Sequence, residues 1–318
     1  MGYHPRNETS NIATFQTTRC RNSELWFVNN KALEESVLGY LSKYCERYGV
    51  DLYAFAIEGN HNQFPAHFPK CNRSHFMRDL NSSIARAVPR YAPAYTGGRL
   101  WERRYSAEFL PGSEDIEEWF FYTVLQAVND GHVEKISQYP GYNCFHDAVY
   151  GIKRTFKVMN WTAFNERRRW KKNVCAKDFI EEVTLEYKRL PGYEHLTQKE
   201  YAKLMHEKLE QRRLAILEKR RLEGKSNGRG EHLRQIHPGS RPKNTKTSTL
   251  KSHRPRVLSI CNVRRAKCKA WYFKQHFEFK DASLRYRRGD LTVIFPPGMF
   301  RPPSFTIEHT VPREHFAA

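Results

Sequence analysis

Residues 51–68, DLYAFAIEGNHNQFPAHF, read as two strands joined by a tight turn. Asp51 to Ile57 alternates enough to bury one face, Gly59-Asn60 supplies the turn, and His61 to Phe68 returns as the partner strand. Upstream, Lys31 to Tyr48 places Leu33, Val37, Leu38, Leu41 and Tyr44 at helical spacing, and Gly49 ends the run. Residues 12–20, rich in Thr and Phe, read as a first strand. Downstream, Ser74 is placed to cap a helix that reaches Val88 and is ended by Pro89. Residues 105–110 read as a fourth strand, stopped by Pro111-Gly112. Ser113 then caps a helix whose first turns carry Glu114, Asp115, Glu117 and Glu118, which suits the positive end of the helix dipole. The order βαββαβα predicts an α+β fold, a ferredoxin-like (RRM-like) antiparallel sheet with helices on one face.

Beyond residue 150 the composition changes. Residues 151–225 form a basic, largely helical extension, in which Thr197 and Glu200 match a capping box for a helix ending near Gly224. Residues 226–256 are rich in Gly, Ser, Pro, Thr, Lys and Arg and read as a flexible basic linker. Residues 257–318 recover some apolar content as a small C-terminal segment. The chain of 318 residues carries a formal charge of +20, and residues 201–256 hold 16 Lys and Arg against 5 Glu, so a polyanionic partner is expected. Seven cysteines, an odd number without CxxC spacing, argue against a disulfide framework or a zinc ribbon. No apolar run approaches the roughly 20 residues of a membrane span, and the first residues lack the apolar stretch of a secretory signal. A cytoplasmic, nucleoid-associated protein without a membrane partner is the expectation.

His61 and Gln63 stand two apart in a strand, so both side chains leave the same face and could share a divalent cation. The bland alternative is a pair of polar residues at a strand end. Tyr122 lies on the helix that starts near Ser113, with Gln126 one turn later on the same side. A phenol beside a potential metal ligand suits a nucleophile, although an aromatic that merely packs the helix would look the same.

In the combination of Asn60-His61-x-Gln63, Trp101 and Tyr122 with Gln126, the chain resembles the REP-associated tyrosine transposases, single-tyrosine insertion-sequence transposases of the HUH endonuclease superfamily. Thr17-Thr18-Arg19-Cys20 stands where that family closes its first strand with a Thr/Arg motif. Residues 101–105 are similar to its W-x-x-x-Y segment, residues 128–133 to its NPV-x-x-GLV region, and Tyr139-Pro140-Gly141 to its W-P-x step. The resemblance implies a catalytic domain over residues 1–150. Tyr122 would attack a single-stranded DNA phosphate, leaving a 5′-phosphotyrosine and a 3′-hydroxyl. His61, Gln63 and Gln126 would hold Mg²⁺ or Mn²⁺, and no ATP is needed. It also implies single-stranded or hairpin DNA as partner, and a monomer or homodimer. Arg19, Arg103 and Arg104 within these motifs, and the cluster Arg167, Arg168, Arg169, Lys171 and Lys172, are the expected DNA contacts, with Trp170 either stacking on a base or buried.

The chain departs from the family's His-hydrophobic-His in having His61-Asn62-Gln63. Asn62 should point into the core, where an amide without partners costs on the order of 1–3 kcal/mol. Pro65 removes a ladder donor from an interior strand. A nucleic-acid-binding protein that keeps the sheet without the chemistry is therefore the alternative. A replication-initiator nuclease would share His61-x-Gln63 and the tyrosine, but no GxxxxGK[ST] sequence accompanies them here.

Overall fold

The computed structural model describes residues 5–242 and 256–302. Its first half runs β1 (Ala13–Arg19), α1 (Lys31–Tyr48), β2 (Asp51–Leu52), β3 (Ala56–Glu58), β4 (His61–His67), α2 (Arg73–Tyr91) and β5 (Ser106–Leu110). The antiparallel sheet has the order β2-β4-β1-β5, with β3 also paired to β4. That is the ferredoxin-like order, β2 and β3 sharing one place as a broken strand.

The break has a cause in Pro65. Leu52 stands opposite Ala66 and Ala56 opposite Gln63, so residues 53–55 face only Phe64 and Pro65, a bulge. Pro65 offers no N–H to the ladder, while its carbonyl still accepts from Tyr53 N at 3.2 Å.

α1 has the expected bounds, its first turn capped by Asn30 Oδ1 accepting from Leu33 N and its end closed by Gly49 at φ 63°. α2 departs from expectation at both ends. Its N-cap is Asn72, and Glu8 rather than Ser74 satisfies the first turn, accepting from Ser74 N at 2.7 Å. Pro89 does not end it: the helix continues to Tyr91, because a proline in the last turn forfeits only one hydrogen bond.

Alternation divides the sheet. Asn62, Phe64 and Ala66 point toward α1 and α2, with the Phe64 ring 6.1 Å from Phe76 of α2. The opposite face carries Phe15, Thr17, Arg19, His61 and Gln63. It receives α3 (Ser113–Val124) and the short α4 (Gln126–Asn129), since Phe15 packs on Trp119 at 4.6 Å between ring centroids. The two long helices thus cover one face as expected, and the tyrosine helix returns across the other.

The extension begins with α5 (Phe145–Tyr150), followed by β6 (Arg154–Met159), α6 (Trp161–Trp170), β7 (Ile180–Leu185) and α7 (Gln198–Leu222), and the last helix is α8 (Asn262–Arg287). The strand pair β6–β7 was not legible as such in a stretch read as largely helical. Phe156 and Val158 alternate with Thr155 and Lys157, and Val183 and Leu185 with Glu182 and Thr184, a period of two overshadowed by charge. The pair packs on α1, where Gly39 makes room: a Cβ there would lie 2.7 Å from Val158 Cγ2. One core contains Phe15 and Phe64 together with Val158, Leu185, Tyr201 and Leu209, so residue 150 is not a boundary in the packing.

Thr197 and Glu200 form the expected capping box of α7. The acidic turns of α3 do more than match its dipole. Glu117 accepts from Lys208 of α7 at 2.7 Å, and Arg212 pairs with Glu118. Arg264 of α8 pairs with Glu114 at 2.6 Å, and the fully buried Asp115 accepts from Ile260 N at 2.8 Å. The carboxylates of α3 are where both C-terminal helices dock.

Residues 226–242, expected as part of a flexible linker, are packed along the domain. Asn227 Nδ2 donates to the carbonyls of Val128 and Val133 at 2.9 and 2.8 Å, and Leu25 N donates to Ser240 O at 2.9 Å. Residues 243–255 lie outside the described residues. The chain returns beside the outer edge of β5, with Phe109 N donating to Arg256 O and Leu258 N to Phe109 O, both 2.9 Å. Near the end, Glu8 N donates to Gly298 O at 2.9 Å. Gly298 has φ 74° and lies against Glu8 so closely that only glycine fits. All seven cysteines are free. Among the described residues no helix is long and apolar enough to cross a membrane.

Candidate nucleic-acid active site

The hairpin of β3 and β4 builds the floor of the site. In register, Glu58 and Arg19 flank His61 from the two neighbouring strands, and Ala56 and Thr17 flank Gln63. His61 and Gln63 are both buried and share one face, as their spacing predicts. The His61 ring is held by Asn60, Nδ1 to Oδ1 at 2.9 Å. With Nδ1 donating, Nε2 keeps its lone pair. Burial, reinforced by the Arg19 charge, pulls the imidazole down to about 3, so it is neutral near pH 7 and able to act as a ligand.

Gln63 Nε2 donates to Gln126 Oε1 at 3.1 Å, and Gln126 Nε2 donates to Asp130 Oδ2 at 2.7 Å. α3 stops at Val124 and Leu125 breaks the helix, yet Gln126 still reaches β4. Tyr122 lies on Trp119 (4.5 Å) and edge-on to Phe15 (5.9 Å), with 37% of the residue exposed to the cleft. Burial raises its phenol, and the carboxylates of Asp130 and Glu108 raise it further. Arg256 and a hydrogen bond with Gln126 act the other way. The phenol is protonated at neutral pH.

Asn62 enters the core as expected. It is 1% exposed, and neither its amide nitrogen nor its oxygen has a hydrogen-bond partner. That is an uncompensated cost beside the floor of the site.

Four residues escaped the sequence reading. Glu58 is pushed up to about 8, mainly by burial and then by Asp130, with a hydrogen bond from Tyr139 opposing. The two-residue turn could have revealed it, since Glu58 and His61 flank Gly59-Asn60 and must pair across the hairpin. Asp130 lies four residues after Gln126, a helical spacing legible in the sequence. Glu108 and Arg256 meet across an ion pair of 2.6 Å between segments 148 residues apart, which no local pattern encodes.

These residues open on a cleft of ≈ 2680 Å³. Arg19, Arg103 and Arg104 line it, and so do Arg21, Arg241 and Arg256. The cluster Arg167, Arg168, Arg169, Lys171 and Lys172 does not. It sits on and just after α6, which buries no residue, and Trp170 is 83% exposed rather than part of the core. α6 leaves from β6, on the α1 side of the sheet, away from Tyr122. Lys208 and Arg212 of the other basic helix are paired with α3 carboxylates.

Among the described residues no group of three or more His, Cys, Asp or Glu could hold a metal ion. The donors on hand are His61 Nε2 and the amide oxygens of Gln63 and Gln126. They suit a hard divalent cation whose remaining positions go to water and phosphate oxygens. Gln126 Oε1 is engaged by Gln63 and would have to turn to serve.

Residues 16–122 match the profile of a family described as "Transposase IS200 like". The match covers about a third of the chain, runs from β1 to Tyr122 and spans His61 and Gln63. A comparison with curated proteins returned no match. A solved structure described as "Structure of the REP associates tyrosine transposase bound to a REP hairpin" is similar over 46% of this chain and 84% of that one, at 16% identity and a TM-score of 0.39. Similarity that loose bears no weight for function.

Proposed function

We propose that the protein cuts and rejoins single-stranded DNA at hairpins, with Tyr122 as nucleophile. The observation that carries this reading is the partly exposed Tyr122 phenol, hydrogen-bonded with Gln126 and sharing one arginine-lined cleft with His61 and Gln63. The phenolic oxygen attacks phosphorus, and a P–O(Tyr) bond forms as the P–O3′ bond breaks. The proton lost by the phenol is balanced by the one taken up by the released 3′-oxygen. The products are a 5′-phosphotyrosine and a 3′-hydroxyl, and attack by a 3′-hydroxyl reverses the step without ATP.

His61, Gln63 and Gln126 would hold Mg²⁺ or Mn²⁺, which when bound supplies positive charge to the phosphate oxygens and to the ionising phenol. Asn60 orients the imidazole, and Arg19, Arg103 and Arg104 bind the backbone through sequence-neutral, salt-dependent contacts. The cluster at residues 167–172 would serve only DNA extending beyond the cleft.

A second reading, binding without cutting, is favoured by one observation: Gln63 and Gln126 satisfy each other, and Asn62 between the ligands is unpartnered. Incubation with a labelled hairpin oligonucleotide and Mn²⁺ separates the two. A covalent adduct on a denaturing gel that vanishes in Tyr122→Phe supports cutting. Tight binding without any adduct supports the second reading.

A further inference from the structure

The C-terminal segment does more than pack against the domain: it places a cation in the cleft beside the tyrosine. Main-chain bonds of Phe109 to Arg256 and Leu258 fix the segment along β5, and Val257 packs with Phe109 and Tyr272. The position of Arg256 therefore does not depend on its own side chain. Glu108 is the cross-strand partner of Phe15, so its carboxylate rises on the same face, next to the ring on which Tyr122 rests. Arg256 reaches that carboxylate with Nε at 2.7 Å and Nη2 at 2.6 Å, both on Oε1. The guanidinium is thus oriented by one oxygen rather than enclosed in a two-oxygen fork, and 53% of the side chain remains exposed toward the cleft. A guanidinium anchored this way presents its remaining N–H groups to a planar or tetrahedral anion.

We infer that Arg256, supplied from outside the IS200-like match and aimed by Glu108, binds a DNA phosphate next to Tyr122. The inference rests on the proposed DNA-cutting function but is separable from it. Arg256 holds the backbone where the phenol can reach phosphorus. Glu108 is a positioning residue, acting through Arg256.

The test uses the full chain and a short single-stranded oligonucleotide, with affinity measured without metal over a range of salt concentrations. Arg256→Gln should weaken binding about tenfold and lower the slope of log K against log salt by about 0.7. Arg256→Lys, which keeps the charge, should restore the slope. Thermal melting should be unchanged in Arg256→Lys, which keeps a cationic partner for Glu108 and the main-chain bonds. With Mn²⁺ and saturating oligonucleotide, adduct formation should slow in Arg256→Gln and recover in part in Arg256→Lys. An unchanged affinity and slope in Arg256→Gln overturns the inference. So does a loss shared by the Lys variant together with a fall in melting temperature, which marks a structural role. If the wild type forms no adduct but the slope still drops, the phosphate contact stands and the cutting reading falls. If the wild type does not bind the strand at all, both fall.

Discussion

Gln63 and Gln126 hydrogen-bond to each other, Nε2 to Oε1 at 3.1 Å, where β4 meets the first residue of α4. Two neutral amides thus close the gap in which a cation would sit, and a chain of donors continues to Asp130. Gln63→His replaces an amide with an imidazole that cannot satisfy Gln126 in the same way and whose lone pair is a better ligand. Mn²⁺ affinity, measured by calorimetry, should rise about tenfold or more. An unchanged or lower affinity would mean that Gln63 is not a ligand position.

Asn62 offers a stability test independent of DNA. Asn62→Leu removes two buried polar atoms that have no partners. The gain should be ~1–3 kcal/mol, or roughly 2–4 °C in melting temperature for each kcal/mol. A lower melting temperature would show that the amide is satisfied in solution or that the larger side chain does not fit.

Glu58 gives a pH signature. Its folded value of about 8 lies above the ordinary 4.5, so its proton-linked stability is full below about pH 4.5 and is lost as pH rises through 8. Glu58→Gln mimics the protonated side chain and should remove that loss. The melting temperature of the variant relative to wild type should climb between pH 5.5 and 8.5. A difference constant with pH would contradict the buried, protonated carboxyl.

The raised phenol of Tyr122 sets the direction of the rate profile. With the proton held more tightly than in free tyrosine, the ionised fraction grows through the whole neutral range. Single-turnover adduct formation with Mg²⁺ should therefore rise with pH from 6.5 to 9.5, by up to about tenfold per unit. A flat profile would mean that ionisation of this phenol does not limit the rate.

Much of the architecture was legible because it is local. The spacing in α1, the turn at Gly59-Asn60 and the capping box at Thr197 each specify an element within a few residues. The shared face of His61 and Gln63 follows from strand alternation, and the burial of Asn62 from the same rule. What stayed hidden depends on distant segments. Ser74 looked like a cap until Glu8 took that place, and β6–β7 is a strand pair because α1 offers Gly39 as a seat. The acidic turns of α3 matched a dipole in sequence and turned out to anchor α7 and α8. The candidate site was half legible for the same reason: Tyr122, His61, Gln63 and Gln126 lie in local motifs, whereas Arg256 comes to Glu108 from 148 residues further along the chain.

The cleft and the α6 cluster can be separated by DNA length. Neutralising Arg19 and Arg103 should weaken binding of a short oligonucleotide confined to the cleft and flatten its salt dependence. Neutralising residues 167–172 should do so only for longer DNA. Equal losses on the short strand would place α6 at the cleft after all.

The most direct measurement is to map the covalent link. After incubation of the full chain with a hairpin oligonucleotide and Mn²⁺, digestion and mass spectrometry should find a nucleotide 5′-phosphate on the peptide containing Tyr122, and none in Tyr122→Phe. A phosphorylated peptide bearing another tyrosine, or an adduct that persists in Tyr122→Phe, would contradict Tyr122 as the nucleophile.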